Sequence, residues 1–115
     1  MRITFQAPQT KVNESSALTV TAKVWDDSTE VWTAQVPTTL HYRIDCLSSG
    51  YAITDWTSIT ADDVSSIAIT ATENAIQNDW NETERKQLTL KANSGLSTQY
   101  QATFAYDVRN LSGQT

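Results

Sequence analysis

Apolar and polar residues alternate with a period of two along most of this chain. The clearest run covers residues 18–24, where Leu, Val, Ala and Val alternate with Thr, Thr and Lys. Alternation of this kind is typical of a β-strand with one face in a core and the other in solvent. An α-helix repeats every 3.6 residues and does not produce this pattern. The pattern therefore constrains the chain to an all-β fold.

Seven segments show the alternation, and clusters of Ser, Asn and Asp separate them. The sequence has three Gly and two Pro, so these polar clusters are expected to form most of the turns. Thr occurs 18 times and also favours strands, because β-branched residues are poor helix formers. The predicted strands cover residues 1–5, 18–24, 40–46, 53–59, 64–71, 88–92 and 100–108.

Seven short strands in one domain-sized chain predict two antiparallel sheets packed face to face. We assign residues 1–115 to a single domain, an immunoglobulin/fibronectin type III-like sandwich of about seven antiparallel strands. The fibronectin-like version is favoured because one cysteine cannot supply the Cys…Trp…Cys pattern of antibody domains. The longest loop is expected over residues 72–87, with room for one helical turn.

The inward positions of these strands define the predicted core. Cys46 is counted in it as a small buried hydrophobe, because a single cysteine has no intrachain disulfide partner. The predicted core residues are Leu18, Val20, Val24, Leu40, Tyr42, Ile44, Cys46, Ile67, Ile69, Leu88, Leu90, Tyr100, Phe104 and Tyr106.

Groups that catalyse reactions are scarce in the sequence. His41 is the single histidine, and by the alternation it faces away from Cys46, so a nucleophile–base pair is not expected. The sequence has no Gly-rich phosphate loop and no His/Cys metal spacing. Acidic turns at residues 26–30 and 62–63 offer oxygen ligands for Ca²⁺ but lack the spacing of a calcium loop. We therefore predict no enzyme, with no catalytic residue, no metal and no cofactor.

Charge and hydropathy exclude two further classes of partner. The formal net charge is −5 without a basic block, which argues against nucleic acid, because phosphate binding needs clustered Lys and Arg. No apolar run approaches the roughly 18 to 20 residues that cross a bilayer, so no membrane partner is expected. The first six residues lack the apolar segment of a secretory signal.

Four tryptophans are the best candidates for a functional surface. Trp25 falls on the outward face of its strand, Trp32 lies in a polar connection, and Trp80 lies in the longest predicted loop. Each loop ring either folds back on the core, docks on another protein or stacks on a sugar, and these alternatives stay open. Trp25, Trp32 and Trp80 form the candidate interface. Trp56, in the weak fourth strand, is expected to be a core or edge-covering residue.

Seven segments spread over nearly the whole chain carry a family resemblance. They are ITFQAP at 3–8, ALTVTA at 17–22, HYRIDCL at 41–47, DWTSI at 55–59, NAIQ at 74–77, ERKQLTLKA at 84–92 and GLSTQ at 95–99. Together they resemble a group of small virion proteins of tailed bacteriophages and prophages. The resemblance implies an immunoglobulin/fibronectin-like sandwich that serves as a capsid decoration, neck or tail module, and occasionally as a binder of host-surface carbohydrate. It implies no catalytic residue.

The expected function is therefore that of a non-enzymatic virion structural protein assembled in the host cytoplasm. Capsid decoration, as a cement protein, is favoured over a neck or tail part because the chain is one small domain without a long assembly arm. Capsid or head–tail proteins are the expected partners, and a host-surface carbohydrate or receptor is the alternative. Whether the chain forms a homo-oligomer is left open. The weakly charged first strand, Ile3–Gln6, either pairs with a neighbour or is covered by the chain's own termini.

Overall fold

The computed structural model describes residues 1–78, 80–93 and 99–111. These residues contain β-strands and turns, with no helix among them. The strands are β1 (Arg2–Gln6), β2 (Lys11–Asn13), β3 (Leu18–Asp26), β4 (Thr33–Ala34), β5 (Thr39–Cys46), β6 (Tyr51–Ile59), β7 (Val64–Ile69), β8 (Thr83–Asn93) and β9 (Gln99–Arg109).

The strands form two sheets. Sheet A contains β1, β3, β4 and β7, with β3 paired to the other three. Sheet B has the order β2-β9-β8-β5-β6. The longer pairings are all antiparallel, whereas β2 runs parallel to β9. The predicted all-β sandwich is confirmed, and its seven longer strands are consistent with the immunoglobulin/fibronectin type III arrangement. The two short strands, β2 and β4, lie outside the seven strands predicted from the sequence.

The inward faces of both sheets enclose one apolar core. On β3, for example, Leu18, Val20, Ala22 and Val24 alternate with more exposed residues and are at most 2% exposed. Each Leu or Val among them stabilises the fold by roughly 1.5–3 kcal/mol when it leaves water. The residues of the predicted core that are fully buried are Leu18, Val20, Val24, Leu40, Ile44, Cys46, Ile67, Ile69, Leu88, Leu90 and Tyr106.

Three aromatic residues of the predicted core are only half-buried. Tyr42, Tyr100 and Phe104 pack against the core without being enclosed by it. Sheet A has fewer strands than sheet B, so it leaves part of the inward face of sheet B uncovered. Phe104 contacts Phe5 of β1 in sheet A, with the two ring centroids 5.9 Å apart. Alternation gave the correct face for these residues and overestimated how far they are covered.

The loop expected over residues 72–87 ends earlier than predicted. Residues from Thr83 onward belong to β8, and the connection from β7 to β8 spans 70–82. A hydrogen-bonded turn lies near its beginning, where Asn74 N donates to the Thr70 carbonyl and Ala75 N donates to the Thr72 carbonyl. The beginning of β8 was missed because its inward residues, Glu84 and Lys86, are charged and break the apolar alternation.

The strand registers place the connections at two ends of the sandwich. We call one the Trp80 end, where β3 and β8 begin and β5 and β9 end. The opposite one is the Trp32 end, where β3 ends and β5 begins. Trp32 and Trp80 are thus separated by about the length of β8, roughly 30 Å at about 3.3 Å per residue.

Candidate docking surface at the Trp80 end

Large apolar side chains are exposed at the Trp80 end. Trp80 is 94% exposed, Tyr51 59%, Leu111 50% and Leu47 47%. They lie at or just beyond the ends of β6, β5, β8 and β9, which are neighbours in sheet B. Adjacent strands are about 4.8 Å apart, so these residues lie along one end of sheet B. Exposed apolar clusters on small domains typically mark sites of protein–protein contact.

Trp80 lies at the exposed part of the β7–β8 connection. Its backbone N–H donates to Asn78 Oδ1 at 3.1 Å, and Asn81 N donates to the Asn78 carbonyl at 2.9 Å. These bonds hold the backbone of Trp80 and Asn81 and leave the ring exposed. An indole ring left almost wholly in water gives the isolated domain no packing energy.

The buried carboxylate of Glu84 binds this connection from the interior of the sandwich. It accepts hydrogen bonds from the Gln77 backbone at 2.7 Å, the Asn78 backbone at 2.9 Å and the Asn81 side-chain amide at 3.0 Å. Glu84 is 0% exposed, and charge-assisted bonds of this kind are about twice as strong as neutral ones. One inward side chain of β8 therefore fixes residues on both sides of the Trp80 turn.

Lys86, the next inward residue of β8, holds the beginning of the same connection. Its ammonium donates to the backbone carbonyls of Glu73 at 3.0 Å and Ala75 at 2.5 Å. It is fully buried, and burial lowers the pKa of its ammonium below the ordinary value of 10.5. Lys86 thus satisfies carbonyl groups at the end of the Thr70–Ala75 turn, where no helix continues to use them.

Two buried asparagines complete the anchoring. Asn74 Nδ2 donates to the Ser16 carbonyl at 2.7 Å, and Asn74 Oδ1 accepts from the Tyr106 hydroxyl at 2.7 Å. Asn110 Nδ2 donates to the Asn81 carbonyl at 2.9 Å. Asn74, Glu84, Lys86 and Asn110 are all 0% exposed. The connection that carries an exposed Trp80 is therefore fastened to the core by four buried polar side chains.

The Tyr106–Asn74 contact predicts a particular dependence of stability on alkaline pH. Burial raises the pKa of the Tyr106 hydroxyl far above its ordinary value of 10.0. Above about pH 10 the unfolded chain loses this proton and the folded chain keeps it, so stability falls as pH rises. We expect Tyr106→Phe to remove this part of the fall, as measured by urea unfolding between about pH 9 and pH 11. Lys86 is present in both proteins, so the difference between their slopes isolates Tyr106. Equal slopes would contradict the assignment.

The two other candidate tryptophans lie together at the Trp32 end. The rings of Trp25 and Trp32 have centroids 6.2 Å apart, and Trp25 Nε1 donates to Thr4 Oγ1 at 2.9 Å. The Arg2 guanidinium lies 4.6 Å from the Trp32 ring centroid, and the Lys23 ammonium lies 4.0 Å from that of Trp25. Trp32 is 40% exposed and packs partly on these neighbours. The structure brings Trp25 and Trp32 together and separates both from Trp80.

Trp56 lies outside the core, on the outward face of the edge strand β6. Its ring centroid is 4.2 Å from the Lys91 ammonium and 5.6 Å from the Arg43 guanidinium. His41 also belongs to this outward face, since it pairs with Lys91 across the sheet, whereas Cys46 is buried in the interior. His41 and Cys46 therefore project to opposite faces of β5.

The acidic turns form local hydrogen bonds. Asp26 accepts from the Ser28 backbone N–H at 3.0 Å, and Asp62 accepts from that of Asp63 at 2.7 Å. Side-chain and backbone hydrogen bonds from Ser28 lower the pKa of Asp26, and those from Asp63 lower the pKa of Asp62. No group of three or more His, Cys, Asp or Glu suitable for a metal occurs in the part of the chain that the structure describes. The same residues include no helix long and apolar enough to span a membrane.

The chain was compared with protein-family models, with curated proteins and with solved structures. No family model, no curated protein and no solved structure matches it. The role of the Trp80 end is therefore inferred from its own exposure and anchoring.

Of the exposed apolar residues at the Trp80 end, Trp80 was predicted from the sequence and the other three were not. Leu47, Tyr51 and Leu111 were not singled out because isolated apolar residues at strand ends are common. Glu84 and Lys86 fall within the loop predicted over 72–87, although their even spacing with Leu88 and Leu90 places all four on one face of a strand. That spacing is the signal that could have revealed them.

Proposed function

We propose that this chain is a non-enzymatic structural protein of a tailed-bacteriophage virion, a capsid decoration subunit that docks through its Trp80 end. The observation that carries the proposal is an exposed tryptophan on a connection fastened by four buried polar side chains. Tryptophan is favoured at interface hot spots, and a connection ordered before binding loses less entropy on binding. The virion assignment itself draws on the sequence resemblance.

The exposed residues at this end fit a protein partner better than a sugar. Tyr51, Leu111 and Leu47 are further exposed apolar side chains at this end, whereas a sugar site needs several polar groups that converge beside the ring. Partners of this kind are capsid or head–tail proteins, and the chain would join them in the host cytoplasm. In a neck or tail position the chain would dock through the same surface and would be present in fewer copies per particle.

Mass spectrometry of purified particles of the phage that encodes this chain tests the assignment. We expect the chain in intact virions at a copy number comparable to that of the major capsid protein. A copy number far lower than this would indicate the neck or tail position. If the chain is absent from purified virions, the proposal is wrong.

A carbohydrate-binding module is the second candidate, and the Trp25–Trp32 pair at the Trp32 end favours it. Trp32 and Trp80 lie at opposite ends of the sandwich, so a sugar-binding platform would use Trp25 and Trp32 without Trp80. A glycan array that gives binding to wild type and to Trp80→Ala, with loss in Trp32→Ala, would support this candidate. No glycan binding by the wild-type protein would remove it.

A further inference from the structure

Edge strands of a sheet expose unpaired backbone N–H and C=O groups, and most proteins protect them. Among the described strands, β6 and β2 form the two edges of sheet B, and β1 forms one edge of sheet A. The opposite edge of sheet A is formed mainly by β7, because β4 has only two residues.

Three of these edges carry protective features. β6 has irregularities in its register with β5 between Tyr42 and Asp45, and it contains Asp55. β2 has three residues and includes Lys11. β1 begins with Arg2, whose guanidinium reaches Asp27. Bulges, short length and charge are the usual means of preventing edge-to-edge pairing.

Within its own six residues β7 has none of these features, and the nearest charges are Asp62 and Asp63, which directly precede it. Its sequence, Val64–Ile69, contains no charged residue and no proline, and its pairing with β3 is regular over all six residues. Its outward positions are Val64, Ser66 and Ala68, all exposed, with Val64 at 45%. A regular, uncharged edge with small side chains is a template for another strand.

The space beside β7 is open. A groove of about 750 Å³ lies between β7 and the end of β6, lined by residues 58–60 and 64–66 together with Asp62. Glu73 bridges the two sheets at the other end of β7, where it accepts hydrogen bonds from Thr70 and from Thr54 of β6. The chain itself thus leaves room along the first half of β7.

We propose that β7 pairs antiparallel with β7 of a second copy of this chain and joins the two sheets A into one continuous sheet. A register that places Ser66 opposite Ser66 places Val64 opposite Ala68 on the same face, so the strand is complementary to itself. No like charges oppose each other within β7 in this register, and the acidic residues just before it, Asp62 and Asp63, come opposite Thr70 and Ile69. Pairing of β6 with itself would be worse, since Asp55 and the irregular register would both lie in the contact.

The formal net charge of −5 on each copy makes the expected dimerisation depend on salt concentration. Two acidic subunits repel each other at long range, and salt screens that repulsion. Dimerisation through the uncharged β7 edge is therefore expected to strengthen as salt concentration rises.

Sedimentation equilibrium of the purified chain tests the proposal. We expect a concentration-dependent species of twice the 12.8 kDa subunit mass. Ser66→Lys places two like charges opposite each other and raises the dimer dissociation constant about tenfold or more. An equimolar mixture of Ser66→Lys and Ser66→Glu restores dimerisation, because opposite charges then face each other.

Thr19→Lys is the matched control, because Thr19 is exposed on the same face of sheet A, on β3 beside Ala68. It should leave the dimer intact, and circular dichroism and Tm confirm that each variant is folded. A monomer at every concentration overturns the proposal, as does a dimer that Ser66→Lys does not weaken. Trp80→Ala should dimerise like wild type, so this experiment fails or succeeds independently of the docking function.

Discussion

Replacing Glu84 with alanine should destabilise the domain by about 3 kcal/mol and release the connection that carries Trp80. The loss leaves three donors, from Gln77, Asn78 and Asn81, without the carboxylate that they share. Because Glu84 is fully buried, water cannot replace it without opening the end of the sandwich. We expect the Tm to fall by roughly 10 °C.

Glu82→Ala is the control for this prediction. Glu82 is exposed and two residues earlier, so its removal changes the net charge equally and should alter stability by less than about 0.5 kcal/mol. Fluorescence anisotropy of a variant with Trp80 as its single tryptophan reports the release directly. It should fall when Glu84→Ala is added and stay constant with Glu82→Ala. Equal stability of the two variants would show that Glu84 does not anchor the connection.

Trp80→Ala should have the opposite profile, with docking lost and stability unchanged. The ring is 94% exposed, so its removal costs the isolated domain almost nothing. An interface tryptophan of the hot-spot class is worth about 2 kcal/mol or more, which is about a thirtyfold loss of affinity. When wild-type and Trp80→Ala chains compete for the same particles, mass spectrometry should find the wild type strongly enriched.

Trp32→Ala is the matched variant for the competition. It removes the same type of side chain at the opposite end, where Arg2 and Trp25 pack on the ring. It should be incorporated as well as wild type. Equal incorporation of Trp80→Ala and wild type would contradict docking through the Trp80 end, and loss with Trp32→Ala would move the contact to the other end.

The alternation of side chains predicted the sandwich because the face of each strand that packs against the other sheet carries apolar side chains. Strands β3, β5 and β9 were recognised on this basis. The rule failed at the beginning of β8, where inward Glu84 and Lys86 meet backbone N–H and C=O groups of a connection. A buried charge paired with backbone groups cannot be distinguished from a loop residue by hydropathy alone.

The candidate site was predictable only in part. Trp80 was recognisable as an apolar residue in a polar connection, and so was Trp32. That the two lie at opposite ends depends on strand order and pairing, which a single sequence does not encode locally. The contrast between the edges β6 and β7 likewise depends on the irregular register with β5, and that register appears only in three dimensions.

Electron microscopy of the intact particle is the most direct test of whether the exposed Trp80 ring contacts the capsid. The account predicts density for this domain on the outside of the capsid, with Trp80, Tyr51 and Leu111 pressed against a capsid protein and the Trp32 end in solvent. A domain attached by its Trp32 end, with Trp80 still in solvent, would contradict it.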